Sequence, residues 1–186
     1  MPNLKIVALF VAALFTGAAY AASPTDGHIA NHAYVNSYFH FEYAWPAMLK
    51  PDKLPSPDAG AQGAHAYMVP LFSARQGSQP YGVVVVAEKL HIAGPHSGGI
   101  QSSAEFIDRM AGSLRAGPIL ANISRSQKKG AQGMVFDKLS YTVSGKPASV
   151  MATQMGDYLI VFKCSAPSAA EIARLEGSAL ALRKLK

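Results

Sequence analysis

Six histidines, a serine in a glycine-rich loop and a single cysteine are the side chains with metal-binding or nucleophilic chemistry in this 186-residue chain. His28 and His32 are spaced i, i+4, and His91 and His96 flank the segment IAGP. Two imidazoles on one helical face can bind zinc, but a usable site needs three or four ligands. Neither pair has a cysteine or carboxylate nearby at a ligand spacing, and H-E-x-x-H is absent, so these are expected to be surface histidines and no metal site is expected. Ser97 follows His96 in GPHSGG. A nucleophile elbow needs G-x-S-x-G on a strand-to-helix turn. Here Gly94 is one position too far from Ser97, and the adjacent His96 points away from it, so a turn is the simpler account. Cys164 would need a thiolate stabilised by a cation or a helix start. It closes the segment YLIVFKC just before a helix, where a strand-end thiol partly covered by that helix is the plainer reading. No phosphate loop or dinucleotide fingerprint occurs. The chain is expected to be non-catalytic and to carry no cofactor; a hydrolase using Ser97 or Cys164 is the remote alternative.

The segment NSYFHFEYAWP, residues 36–46, places five aromatic residues in eleven positions. Its alternation predicts a strand with Phe39, Phe41 and Tyr43 on the core face and Tyr38, His40 and Glu42 on the other. Trp45 falls at the strand end. Exposed aromatic side chains are common anchors for partners. Tyr38, His40 and Trp45, with the adjoining proline-rich loop, are therefore the candidate binding residues.

These residues are carried by a chain that reads as exported. Lys5 precedes an apolar run over residues 6–15, and Ala19 and Ala21 give the small-x-small pattern of signal peptidase. Residues 1–21 are read as a signal peptide, residues 22–33 as a flexible leader, and residues 34–186 as a single domain. The apolar run is shorter than the roughly 20 residues a spanning helix needs. A periplasmic or secreted location follows, with no stable membrane span after cleavage. Cys164 is the only cysteine, so no internal disulfide is available. The net charge of +6 falls by one when Lys5 is removed. The basic residues cluster only in RSQKK (125–129) and RKLK (183–186), and nucleic acid is not an expected partner.

Hydrophobic pattern and turn chemistry supply the framework. Residues 46–63 hold four prolines and two glycines and read as a loop with one helical turn near residues 45–49. Residues 64–74 read as a strand in which Pro70 implies an edge or a bulge. YGVVVVAEKLH, residues 81–91, is a strand built on four consecutive valines. Ser102 and Glu105 form a capping box before a helix with Phe106, Ile107, Met110 and Leu114 on its apolar stripe, stopped by Gly117-Pro118. Residues 119–133 read as a short helix or a connector. Three strands follow, joined by SGKP and GD turns. Ser168 and Glu171 cap a last helix expected to reach about residue 185, with Ile172, Leu175, Leu180 and Leu182 inward.

That order, with NSYFHFEYAWP, PYGVVVVAEKL and YLIVFKCSAPSAAEIARL, resembles exported proteins of the PsbP-like fold, which include the extrinsic photosystem II protein and DcrB-type envelope proteins. Their opening strand usually reads Y-F-G-F-x-Y-x-x-P; His40 stands here where that pattern has glycine. The resemblance implies an α/β/α sandwich around an antiparallel sheet, and binding or assembly roles without shared catalytic residues. The expectation is thus an α+β domain with about six antiparallel strands covered by two or three helices. Its expected function is to bind or help assemble an envelope protein partner. The alternative is a small-ligand carrier with its pocket between the sheet and the loops at residues 46–63 and 92–101.

Overall fold

The computed structural model describes residues 23–53, 68–77, 81–90, 99–115 and 120–185. Two antiparallel sheets and two α-helices organise them. The larger sheet has seven strands: β4 (Lys50–Pro51), β5 (Met68–Arg75), β6 (Gly82–Lys89), β10 (Tyr158–Ser165), β9 (Lys146–Met155), β8 (Val135–Val143) and β7 (Leu120–Lys129), in that spatial order. The smaller has β1 (Gly27–Ala30), β2 (Ala33–Asn36), β3 (Phe41–Ala44) and β11 (Arg183–Lys184). The α+β class holds, with seven and four strands in place of about six.

The strand alternation of the large sheet sorts its apolar side chains onto two faces. Helix α1 (Ser103–Arg115) lays Phe106, Ile107 and Ala111 on Val86, Leu139, Val150, Ala152, Leu159 and Val161. The opposite face buries Val85, Met151, Ile160 and Phe162 beneath Leu175 and Ala179 of α2 (Ala169–Leu180) and beneath Tyr34, Phe41 and Tyr43 of the small sheet. That second layer is thus half helix and half sheet, which differs from a plain α/β/α sandwich. Lys138 of β8 also reaches Glu176 of α2 at 2.6 Å, with both side chains mostly covered.

Several expected local signals are present. The bulge in β5 lies between Pro70 and Phe72. Ser102 Oγ accepts the Glu105 N–H at 3.2 Å, while the Glu105 carboxylate accepts from Gln101 N–H, one residue earlier than a strict capping box. Ser168 caps α2 through the Glu171 N–H and hydrogen-bonds its carboxylate at 2.7 Å. Ser144 and Gly145, at φ 50° and 78°, make the β8–β9 turn. Both residues have the left-handed conformation that two-residue hairpins need.

Four expectations are corrected. The supposed flexible leader contains β1, hairpinned to β2 through Asn31 and His32 at φ 48° and 60°. Neither residue is the glycine that signals such a turn, and β1 is too exposed to show alternation. A Cβ at Gly27 would collide with the Tyr34 ring, so the strand lies close on its neighbour. The strand expected from residue 38 starts at Phe41, because residues 37–40 form a turn. Residues 120–129, read as helix or connector, form β7 at the edge of the large sheet. Ile123 packs against the core, most of the other described side chains of β7 are exposed, and an edge strand that polar carries no period-2 signal. Helix α2 ends at Leu180; Leu182 is buried as helical spacing demanded, but from a chain turning back to pair with β3. The helical turn near residues 45–49 survives as a turn with Leu49 N–H bonded to Pro46 O at 2.9 Å.

Candidate functional site

Residues Tyr38 and His40 lie on the tight turn between β2 and β3, and Asn36 holds that turn. Asn36 is fully buried, and its Oδ1 accepts the Phe39 N–H at 2.9 Å. Its Nδ2 donates to Pro24 O at 2.9 Å and to Tyr34 Oη at 3.0 Å. An asparagine bonding the backbone ahead of it is a local turn former. Here the same side chain also ties the turn to the N-terminal segment. His40 follows at φ 50°, a left-handed conformation uncommon outside glycine, and its carbonyl accepts Leu185 N–H at 2.7 Å.

The turn faces the β9–β10 hairpin across a recess of about 480 Å³, lined by Tyr38, Phe39, His40, Met155, Tyr158 and Lys184 among others. Tyr38 meets Phe39 and Tyr158 edge-on at 4.8 and 5.9 Å, and Phe39 meets Tyr158 at 5.2 Å. Such T-shaped geometry suits aromatic quadrupoles, so the cluster is fixed internally while part of Tyr38 stays accessible. Burial, then the hydrogen bond to Tyr38 and the nearby Asp157, raise the Tyr158 hydroxyl above its ordinary range. The recess thus offers two phenols, a histidine, a lysine and an aspartate as polar groups beside an aromatic cluster.

Lys184 of its wall belongs to β11, which Gln132 holds in place. A short 3₁₀ turn (Ala131–Gly133) follows Lys128 and Lys129, and Gln132 on it clamps β11. Lys184 N–H donates to Gln132 Oε1 at 2.7 Å, and Gln132 Nε2 donates back to Lys184 O at 3.4 Å. Arg183 is paired with Glu42 at 2.6 Å.

Of the three expected binding residues, the structure brings Tyr38 and His40 together and removes Trp45. Trp45 is 4% exposed, with its ring 4.8 Å from Phe72 and 4.6 Å from His32. The signal was in the alternation itself: Phe41, Tyr43 and Trp45 share one parity, and all three are core. Phe39 is partly buried against the same cluster. Tyr158, Asn36 and Gln132 were not anticipated; only Asn36, opening N-S-Y-F before a strand, carried a local sign.

The nucleophile and metal candidates fare differently. Cys164 is buried, and burial with Glu176 nearby pushes its thiol up to about 12, which suits a covered strand-end thiol. His28 is exposed on β1 and His32 in the following turn, so no helix face joins them. His91, His96, Ser97 and most of the loop over 46–63 lie outside the described residues. Among the described residues no three His, Cys, Asp or Glu side chains are placed to hold a metal, and no helix is long and apolar enough to cross a membrane.

No protein-family model and no curated protein matches the sequence. Among solved structures, the chain is similar to the solution structure of cyanobacterial PsbP (CyanoP) from Synechocystis sp. PCC 6803. The TM-score is 0.54 at 11% identity, over 91% of this chain and 98% of that one. At that identity the likeness concerns the fold alone, and the chain has a PsbP-like fold.

Proposed function

We propose that the protein is an exported, non-catalytic envelope protein that binds or helps assemble a partner protein, and that it does so through the recess around Tyr38 and His40. The observation that carries this reading is the rigid presentation of Tyr38. Asn36 fixes its turn, Phe39 and Tyr158 fix its ring, and a recess of about 480 Å³ lies open beside it. A side chain already ordered in the free protein loses little entropy on binding, so its contacts count fully toward affinity. Tyrosine is also enriched among interface hot spots. The export signal read in residues 1–21 supports a periplasmic or secreted setting.

The test is photo-crosslinking in the native host with p-benzoylphenylalanine at His40, and at exposed Arg115 on α1 as the control position. One dominant envelope protein captured from position 40 alone is the expected result. Equal capture from both positions, or none from either, overturns the reading.

A further inference from the structure

Helix α1 covers only half of its face of the large sheet. Walking two residues along each strand away from that covered core leads to Val84 on β6, which is exposed, to Lys163 on β10, which is half-buried, and to Ala148 on β9, which stays buried. On β8 the same walk runs from Leu139 through Tyr141 to Val143. The change in exposure is abrupt. Val86 is 5% exposed and Val84 is 42%; Leu139 is fully buried and Val143 is 39% exposed. Strand register places these side chains beside one another, since Lys163 faces both Val84 and Val150, and Tyr141 faces Ala148. They line a cavity of about 470 Å³, completed by Lys146, Pro147 and the strand end at Ser165. Small-ligand sites run from about 300 to 1,000 Å³ and are mostly apolar with a few placed polar groups.

Lys163 gives this surface its chemical character. It sits on β10, the middle strand of seven, with apolar side chains at both neighbouring register positions. Its Nζ contacts Met68 Sδ at 3.8 Å, and no carboxylate of the described residues forms an ion pair with it. Asp52, which shares an adjoining recess with Lys163, is already bonded to Arg75 and Ser73. Lys146 shares the face with Lys163, at the edge of the same cavity. A partly covered ammonium without a counter-ion, set among valines, complements a ligand that brings both a carboxylate and an apolar body.

We infer that this uncovered half-face binds a small amphipathic organic acid. Lys163 holds the carboxylate, Lys146 adds positive charge at the edge, and Val84, Tyr141, Val143 and Ala148 cover the hydrocarbon. The site is separate from the recess at Tyr38 and does not depend on the function proposed for it.

The experiment is an amide NMR titration of the protein with octanoate, octanol and octylammonium. Shifts on octanoate addition are expected at residue 84 and within residues 141–148 and 163–166. A charge-assisted hydrogen bond to the ammonium corresponds to a preference for octanoate over octanol of roughly tenfold or more. Lys163→Gln removes that preference and leaves octanol binding unchanged, while Lys163→Arg retains it. The comparison of three ligands on the unaltered protein decides the matter even if a Lys163 variant folds poorly. Equal affinities for octanoate and octanol, shifts elsewhere, or no binding overturn the inference. So does a concentration-dependent dimer that buries these residues, which would make a second copy the occupant.

Discussion

Tyr38 and Trp45 both read from the sequence as binding residues, and truncating each to alanine separates recognition from stability. Trp45 is enclosed, 4% exposed, and packs on Phe72 at 4.8 Å between ring centroids. Among the described residues its indole N–H has no hydrogen-bond acceptor, so the loss in Trp45→Ala is one of packing and burial. Truncating a buried aromatic residue costs about 3–5 kcal/mol. In a domain of this size each kcal/mol lowers Tm by roughly 2–4 °C. Trp45→Ala should therefore melt about 6–20 °C below the parent protein. Tyr38 is half-buried, and its ring contacts are the two edge-on pairs with Phe39 and Tyr158. An aromatic pair is worth about 0.5–1.5 kcal/mol beyond area burial, so loss of both pairs costs about 1–3 kcal/mol and Tyr38→Ala should lower Tm by roughly 2–12 °C, less than Trp45→Ala.

Circular-dichroism melts measure the first quantity, and adduct yield from a photo-crosslinker at His40 measures the second. Well below its own Tm, Tyr38→Ala should lose most of the adduct while folded. At the same temperature Trp45→Ala should lose adduct only in proportion to the fraction unfolded. A Trp45→Ala protein melting within about 2 °C of the parent would refute the core assignment. A Tyr38→Ala protein as unstable as Trp45→Ala would make Tyr38 a structural residue, and the recess would lose its claim as a binding surface.

Two further outcomes are expected. Burial raises the Cys164 thiol from 9.0 to about 12, so the native chain keeps a proton that the unfolded chain releases. That contribution is complete below pH 9 and is lost as pH rises toward 12, so urea midpoints should fall from pH 9 upward. Cys164→Ala should flatten this slope, whatever its effect on the level; identical slopes would contradict the buried thiol. His40→Gly should relieve the left-handed residue, which costs about 1–2 kcal/mol, at the expense of extra unfolded-state freedom of about 0.5–1 kcal/mol. Urea unfolding should show no loss of stability, and a clear loss would mean that the imbalance is offset by packing of the imidazole.

How much of this could be read from residues alone depended on how local the cause was. The β8–β10 meander was legible because Ser144-Gly145 and Gly156 sit at positive φ between β-branched runs. Both helix starts were legible because a capping serine bonds a backbone N–H three residues ahead. The glycine usual at position 40 in the resembling family also becomes intelligible, since the backbone there has φ 50°. What escaped was tertiary. Strand β7 owes its conformation to β8 on one side, and its side chains say little because most of them face water. Trp45 falls at the strand end next to a proline, where exposure is common, yet its parity with Phe41 and Tyr43 points it inward.

The basic clusters carry the same lesson to the site itself. Residues 125–129 and 183–186 are far apart in the chain, and read separately each resembles an ordinary solvated run. Gln132 joins them by bonding both polar atoms of the Lys184 backbone, as a further strand would. Gly130 allows the approach, because a Cβ there would press on the Phe136 ring and on the carbonyl of Leu180. The position of Lys184 beside Tyr38 is therefore a product of packing: a glycine without a side chain and a glutamine standing in for backbone dock β11 against the turn that follows β7. Because Lys184 reaches the recess only when β11 is docked, a partner that recognises it there reads the folded domain, and an unfolded or misdocked C-terminal segment would not display it.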